Sequence, residues 1–253
     1  MSTQLWANIG IGHENDKDIL EQRIVSAAQC NADAVVINKS TPEKCIPKEK
    51  KYVPIKSKWG TKAYIDVAIK SELDEHNIKF VHGLCKDIGI PLIWSVTDQQ
   101  AINTLTDFVK IDTVKMHFDA VEPMDIIRHC KARNYFLWCS HKYTEEAVKY
   151  GKHFELGFYY TTARFPPKLE GMQLNMLDEL TSKTVRRYKV GYESREEGIF
   201  PSVAVAYKPG IQYIEKYLGD DDSDNASVLT PAQFFDMWNS MNILAEANGT
   251  PLE

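Results

Sequence analysis

The chain has 253 residues and a mass of 28.9 kDa, with 43% apolar and 26% charged residues, a net charge of −5 and a pI near 5.8. That is globular composition, long enough for one large unit such as an α/β barrel of about 200–250 residues. The acidic balance excludes a chain-wide basic footprint for nucleic acid or an anionic membrane, and no stretch approaches the roughly 20 apolar residues of a membrane span. Five cysteines, odd in number and irregularly spaced without a Cys-x-x-Cys, indicate neither a disulfide framework nor a thiol zinc site. The opening MSTQLWANIG lacks the basic start and apolar core of a signal peptide, so a reducing cytoplasmic setting is expected.

Short apolar, β-rich runs alternate with helical patterns along the chain. Strands are predicted at 5–11, 32–38, 91–96, 108–112, 135–140, 154–161, 189–194 and 211–218. Runs such as ADAVVIN and PLIWSV are nearly continuous in apolar residues, the pattern of parallel strands covered on both faces. Helices are predicted at 18–30, where Ile19, Ile24, Ala27 and Ala28 share a face, at 123–131, and from Thr230-Pro231 onward, a cap residue followed by proline at the first helical position. The connection 40–62 is irregular and rich in lysine, and reads as a solvated βα loop of the kind that also carries binding elements. The acidic run 219–225 reads as a polar loop, with a metal or sugar loop as the sharper alternative.

Eight strands with intervening helical sequence give the count of a single (β/α)8 TIM barrel over residues 1–253, with a doubly wound open sheet as the alternative. In a barrel the chemistry belongs at the carboxyl ends of the strands. The residues assigned there include His13, Asn38, Lys39, Ser95, Asp98, Ser140, Glu193, Arg195, Glu215 and Tyr217, a polar set suited to an oxygen-rich, anionic small molecule. Specific motifs are absent: Gly10-Ile11-Gly12-His13-Glu14-Asn15 lacks the last glycine of a dinucleotide fingerprint, and no GxxxxGK[ST], HExxH or GxSxG occurs. The seven histidines show no ligand spacing.

The ordered series of segments resembles the sialic acid (N-acylneuraminate) synthase family. ANIGIGHEND is similar to the family's AEIGxNHxGD, NADAVVIN to GADAVKFQ, and AYIDVAIKSEL to its tY…EL helix. WSVTDQQAINTL is similar to STPFD…SV…L, Lys110-Ile111-Asp112-Thr113 to KIxS, GYESREEG to GxSDHT-x-G, and IEKYL to IEKHF. The resemblance spans the barrel domain and implies a (β/α)8 enzyme condensing phosphoenolpyruvate with an acylated amino sugar. The C-terminal antifreeze-like domain of full-length members is expected to be missing.

Carried over by position, the resemblance implies that Lys110 holds phosphoenolpyruvate, with Ser95 and Thr113 donating hydrogen bonds and Glu215 assisting proton transfer. Asn8, Asn38, Lys39, His13, Asp98 and Ser140 complete the implied substrate shell, with Lys39 placed to replace a phosphate lysine that falls on Val36. Manganese or magnesium is expected for the family, but its two histidine ligands fall on Arg195 and Tyr217, and a guanidinium cannot coordinate a metal. No resident metal is therefore expected; Arg195, paired with Glu215, is expected to supply a fixed positive charge instead. The partners implied are the two small molecules, without nucleic acid or membrane, and a barrel-to-barrel homodimer is compatible with the pattern. Two other readings stand beside this one: a catalytically inactive sugar- or anion-binding regulatory barrel, and a different reaction on the same scaffold.

Overall fold

The computed structural model describes residues 3–117, 132, 134–139, 156–161, 167–184, 189–219 and 227–249. Eight parallel strands form the barrel: β1 (Gln4–Asn8), β2 (Ala34–Lys39), β5 (Leu92–Val96), β6 (Thr113–His117), β7 (Asn134–Cys139), β8 (Leu156–Thr161), β9 (Lys189–Ser194) and β10 (Ile211–Leu218). Each pairs with the next in that order, and β1 pairs with β10 to close the ring. A short β11 (Val228–Leu229) adds to β10 at its carboxyl end, and β3 (Pro54–Ile55) with β4 (Lys62–Ala63) makes a separate antiparallel hairpin within the 40–62 connection.

The described helices are α1 (Lys17–Gln29), α2 (Pro42–Cys45), α3 (Lys48–Lys51), α4 (Tyr64–Ser71), α5 (Glu75–Ile88), α6 (Gln99–Phe108), α7 (Asn175–Thr184), α8 (Phe200–Ala206) and α9 (Pro231–Ala247). Aspartates start three of them: Asp16, Asp74 and Asp98 accept backbone N–H groups of the first turns of α1, α5 and α6, satisfying donors that a helix start leaves unpaired. No helix among the described residues is long and apolar enough to cross a membrane.

Strand alternation divides the apolar residues into two cores. Leu5, Ala7, Val35, Ile37, Trp94, Val96, Val114, Met116, Val190, Tyr192 and Ile214 face outward, packing with α-helical residues such as Ile24, Ile78, Ile102 and Phe234. Trp6, Ala34, Val36, Ile93 and Tyr213 form a separate cluster inside the ring, with the Trp6 and Tyr213 rings 4.6 Å apart. The inward positions toward the carboxyl ends are Asn8, Asn38, Ser95, Lys115, Glu193 and Glu215. The barrel is thus apolar in its lower interior and polar at its upper end.

The predicted strand at 108–112 is misplaced. Residues through Phe108 complete α6, and the strand begins at Thr113. Lys110, Ile111 and Asp112 form the connection, because α6 is capped at Asp98 and runs until its buried stripe of Ala101, Ile102 and Leu105 is used up. The 40–62 segment contains two short helices and a hairpin rather than an unstructured loop. The predicted helix at 123–131 and all of the acidic run beyond Gly219 lie outside the described residues.

Thr230 accepts the Gln233 N–H at 3.2 Å, and Gln233 returns a bond to the Thr230 N–H at 3.0 Å, a capping box that opens α9. Thr230→Ala is expected to lower stability by about 1 kcal/mol, read as a reduced denaturant midpoint at unchanged slope.

Candidate active site

A cavity of about 310 Å³ opens at the carboxyl ends of the strands. Its floor comes from inward residues of six strands and the position just beyond β9: Asn8, Asn38, Ser95, Lys115, Glu193, Arg195 and Tyr217. Its wall and roof come from the segment after β2, including Ser40, Cys45, Lys50, Tyr64 and Glu72.

Lys115 is the centre of the floor. It stands on β6, and the carboxylates it meets stand on β9 and β10, the latter four strands away in a ring of eight. Lys115 Nζ donates to both Glu215 oxygens at 2.7 Å and to Glu193 Oε2 at 2.8 Å. All three side chains are at most 2% exposed. Arg195 Nε donates to the other Glu193 oxygen at 2.8 Å, and the Tyr217 hydroxyl lies 3.5 Å from that same oxygen. Asn8 Nδ2 donates to Glu215 Oε1 at 2.7 Å, while its Oδ1 accepts the Gly10 N–H at 2.8 Å. Gly10 has φ +67°, a left-handed turn that glycine adopts freely and that folds its N–H back onto the Asn8 amide.

These contacts set the charges. Burial would raise the Glu193 carboxyl, but Arg195 and Lys115 outweigh it and hold Glu193 near 2. Burial would lower Lys115, yet the two carboxylates keep it above its ordinary value and cationic. Glu215 is pushed upward by burial, with Lys115 only partly offsetting that and Glu193 adding to it. Burial also raises the Tyr217 phenol, which stays neutral. One carboxylate of the floor is therefore firmly anionic, and the other is the group that accepts a proton more readily.

The outward neighbours of the same residues hold the strand ends together. Lys216, fully buried between Glu215 and Tyr217, donates to Ser194 Oγ at 2.9 Å and also to the Glu196 carbonyl. Ser202 bonds to Ser194 and to the Glu196 carboxylate, each at 2.6 Å, and the Tyr192 hydroxyl donates to Glu196 at 2.9 Å. Burial lowers Lys216 to about 8, with Glu196 acting in the opposite direction.

Asn8, Asn38, Lys39, Ser95 and Arg195 line the cavity, and Glu215 lies buried beneath it, bonded to Asn8 and Lys115. Lys110 and Thr113 do not. They lie at the amino end of β6, in a different depression with Leu92 and Trp94, because the strand starts five residues later than the sequence pattern suggests. The lysine that alternation brings to the floor is Lys115, two residues into TVKMH, which the sequence analysis missed. The alternation of buried apolar Val114 and Met116 around it was the available signal.

Arg195 pairs with Glu193 rather than with the expected Glu215, since both stand at the end of β9 on the inward side. His13 lies outside the cavity lining: it is 1% exposed, its Nδ1 accepts the Asn15 N–H at 3.0 Å, and burial with Arg23 and Lys58 nearby lowers it to about 4. Asp98 is the N-cap of α6 and holds Thr41 N and Oγ1 at 2.7 Å each. Lys39 Nζ points to Glu72 at 2.6 Å, so its charge is already met. Ser140 and His141 lie outside the described residues.

A divalent metal, implied by the family resemblance, does not fit these residues. One implied ligand position is a guanidinium in an ion pair, the other a neutral, half-buried phenol. Among the described residues no three His, Cys, Asp or Glu side chains gather as a metal-holding group.

A closed (β/α)8 barrel with a polar cavity at its carboxyl rim has the architecture in which barrels hold small molecules. The chain belongs to the NeuB family, whose model matches residues 23–252. It is 26% identical over 263 residues to the N-acetylneuraminate-9-phosphate synthase of Mus musculus, covering 97% of this chain and 71% of that protein. The Homo sapiens protein of the same name is 25% identical over the same shares. Among solved structures, the N-acetylneuraminic acid synthetase of Leptospira borgpetersenii superposes with a TM-score of 0.80 at 16% identity, over 98% of this chain and 86% of that one. A spore coat polysaccharide biosynthesis protein of Chromobacterium violaceum gives 0.80 at 14% identity, over 98% and 76%.

Removing Lys115 takes the ion-pair partner from the buried Glu215 carboxylate and leaves Glu193 with Arg195 alone. Lys115→Met is expected to lower stability by about 3–5 kcal/mol at neutral pH. The deficit should shrink as pH falls, because protonating Glu215 removes the unpaired charge; urea titrations at pH 7 and pH 5 check both the size and the sign.

Proposed function

We propose that this protein condenses phosphoenolpyruvate with an acylated amino sugar, using the Lys115–Arg195 cation pair where its family uses a divalent metal. The observation that carries the reading is the buried Lys115 and the half-buried Arg195 at one cavity floor, tied through Glu193. The family membership and the synthase relatives support the reaction class. In it the enol carbon of phosphoenolpyruvate bonds to the acceptor's carbonyl carbon, whose oxygen becomes a hydroxyl. Water adds at the neighbouring enol carbon, and inorganic phosphate leaves.

Lys115 takes the role that the sequence pattern gave to Lys110. Its ammonium faces the anionic groups of phosphoenolpyruvate, with Ser95 and Asn38 as neutral donors beside it. Arg195 is held by Glu193 at the cavity edge and stabilises negative charge that develops on the acceptor oxygen, a task for a preorganised cation in a water-poor site. Glu215 moves the proton. With every group ionised, Lys115, Arg195, Glu193 and Glu215 sum to zero; protonation of Glu215 leaves one net positive charge, so an incoming anion favours that state.

Calorimetric titration of phosphoenolpyruvate, with manganese and with chelator, tests the reading together with a phosphate-release assay. Binding that ignores manganese and turnover that survives chelator are the expected results. Loss of turnover on chelation, restored by manganese, would overturn the cation substitution. No binding in either condition would overturn the synthase reading and leave a regulatory barrel. Arg195→Ala is expected to lower kcat by about a hundredfold. Repeating the titration near pH 7 in buffers of different ionisation enthalpy should show proton uptake on binding, the sign that a raised Glu215 requires.

A further inference from the structure

Lys110 sits far from the setting that the family resemblance implies for it. It lines a depression of about 610 Å³ at the amino ends of β5 and β6, the opposite end of the barrel from the candidate active site. The two openings share no described lining residue.

The depression follows from where two helices stop. α5 ends at Gly89, whose φ of +83° turns the chain into β5, with the Gly89 and Ile90 N–H groups both donating to the Cys85 carbonyl at 3.0 Å. α6 ends at Phe108, and residues 109–112 then run irregularly to the start of β6. The last turns of α5 and the 109–112 connection thus supply walls over the entries of two neighbouring strands.

The base of the depression is apolar. Cys85, Ile90 and Trp94 are buried, and Leu92 is half-buried. Its edge carries positive charge. His82 and Lys86 lie four residues apart on α5 and so share a face, and Lys110 comes from the connection. Both lysines are exposed, and among the described residues neither has an ion-pair or hydrogen-bond partner. The carboxylate of the described lining, Asp112, has contacts of its own and pairs with neither. In a chain whose net charge is −5, two unmatched ammoniums and an imidazole around an apolar base form a local anion site.

We propose that this depression is a second ligand site, separate from the candidate active site, and that it takes a small phosphate monoester with an apolar body. The apolar part covers Leu92 and the base beneath it, and the phosphate sits at the edge between Lys86 and Lys110. A phosphate dianion can meet both ammoniums, and its oxygens accept from the imidazole as well. A monocarboxylate carries only half the charge the edge presents. The proposal stands independently of the synthase reading.

Calorimetric titration of phenyl phosphate tests the site, against inorganic phosphate, which lacks the apolar body, and benzoate, which carries a single charge. Phenyl phosphate is expected to bind, and the other two to bind about tenfold more weakly or not at all. Lys86→Ala and Lys110→Ala should each weaken phenyl phosphate about tenfold, the worth of one charged hydrogen bond. Both lysines are exposed, so both variants should keep the wild-type denaturant midpoint, which shows that a loss of binding is local. Arg195→Ala, which alters only the carboxyl-end cavity, should leave this binding in place. Unchanged binding in both lysine variants would overturn the proposal, as would loss of all binding in Arg195→Ala, which would place the probe in the other cavity. Equal affinity for phenyl phosphate and inorganic phosphate, or no binding of phenyl phosphate at millimolar concentration, would overturn it too.

Discussion

Lys115 reaches across the barrel interior to Glu215 on the opposite wall and Glu193 beside it, and the upper half of the molecule is organised around that contact. Three charged groups are withdrawn from water there. Desolvation of that kind is repaid only when each charge finds close partners and its remaining hydrogen-bonding capacity is used. Asn8 and Arg195 supply those further bonds, one to each carboxylate. The arrangement is a poor way to gain stability, since a well-packed apolar layer would do as well or better. In the proposed reaction its value lies in holding positive charge at fixed positions in a cavity of low effective dielectric, where no reorganisation would be needed to meet an anionic substrate.

The same two strands serve two purposes because their residues alternate in direction. On β9 and just beyond, Glu193 and Arg195 face the cavity while Ser194 faces α8; on β10, Glu215 and Tyr217 face inward while Lys216 faces outward. The outer residues are not passive. The Lys216–Ser194–Ser202–Glu196 network ties the ends of β9 and β10 on the helix side, so the inner residues hold their spacing even though their own charges would repack freely in water. A mutation on either face is felt on the other.

Set beside the family pattern, the floor shows a transfer of charge. By the resemblance, the family's first-strand glutamate falls on Asn8, the serine of GxSDHT on Glu193, and its histidine on Arg195. The carboxylate lost from β1 reappears on β9, where it pairs with the new guanidinium. The Asn8 amide keeps a hydrogen bond to Glu215 without adding a third negative charge beside Lys115. These substitutions make sense together and not singly: an arginine without Glu193 would be a buried, unmatched cation, and a Glu193 beside a first-strand glutamate would crowd three carboxylates around one lysine.

The barrel itself was legible in the sequence, because strands covered on both faces must be apolar at nearly every position and the count of such runs is a local property. Seven of the eight strand positions follow from it, and with them the rim positions of Asn38, Ser95, Arg195 and Glu215; Thr230 was separately legible as the cap of α9. The strand at 108–112 failed for a physical reason: the tail of α6, its connection and the start of β6 form one mixed apolar stretch, and only packing decides where the helix stops. A shift of that size changed which lysine enters the site, Lys115 in place of Lys110. Which residues become partners was beyond the sequence altogether. Glu193 and Lys115 are 78 positions apart, and Lys115 and Glu215 are 100. The sequence determined that this chain closes a barrel with a polar rim; the cross-barrel ion contacts and the release of His13 and Asp98 to structural duties were decided only by the tertiary structure, in which ring closure brings opposite walls within reach of one side chain.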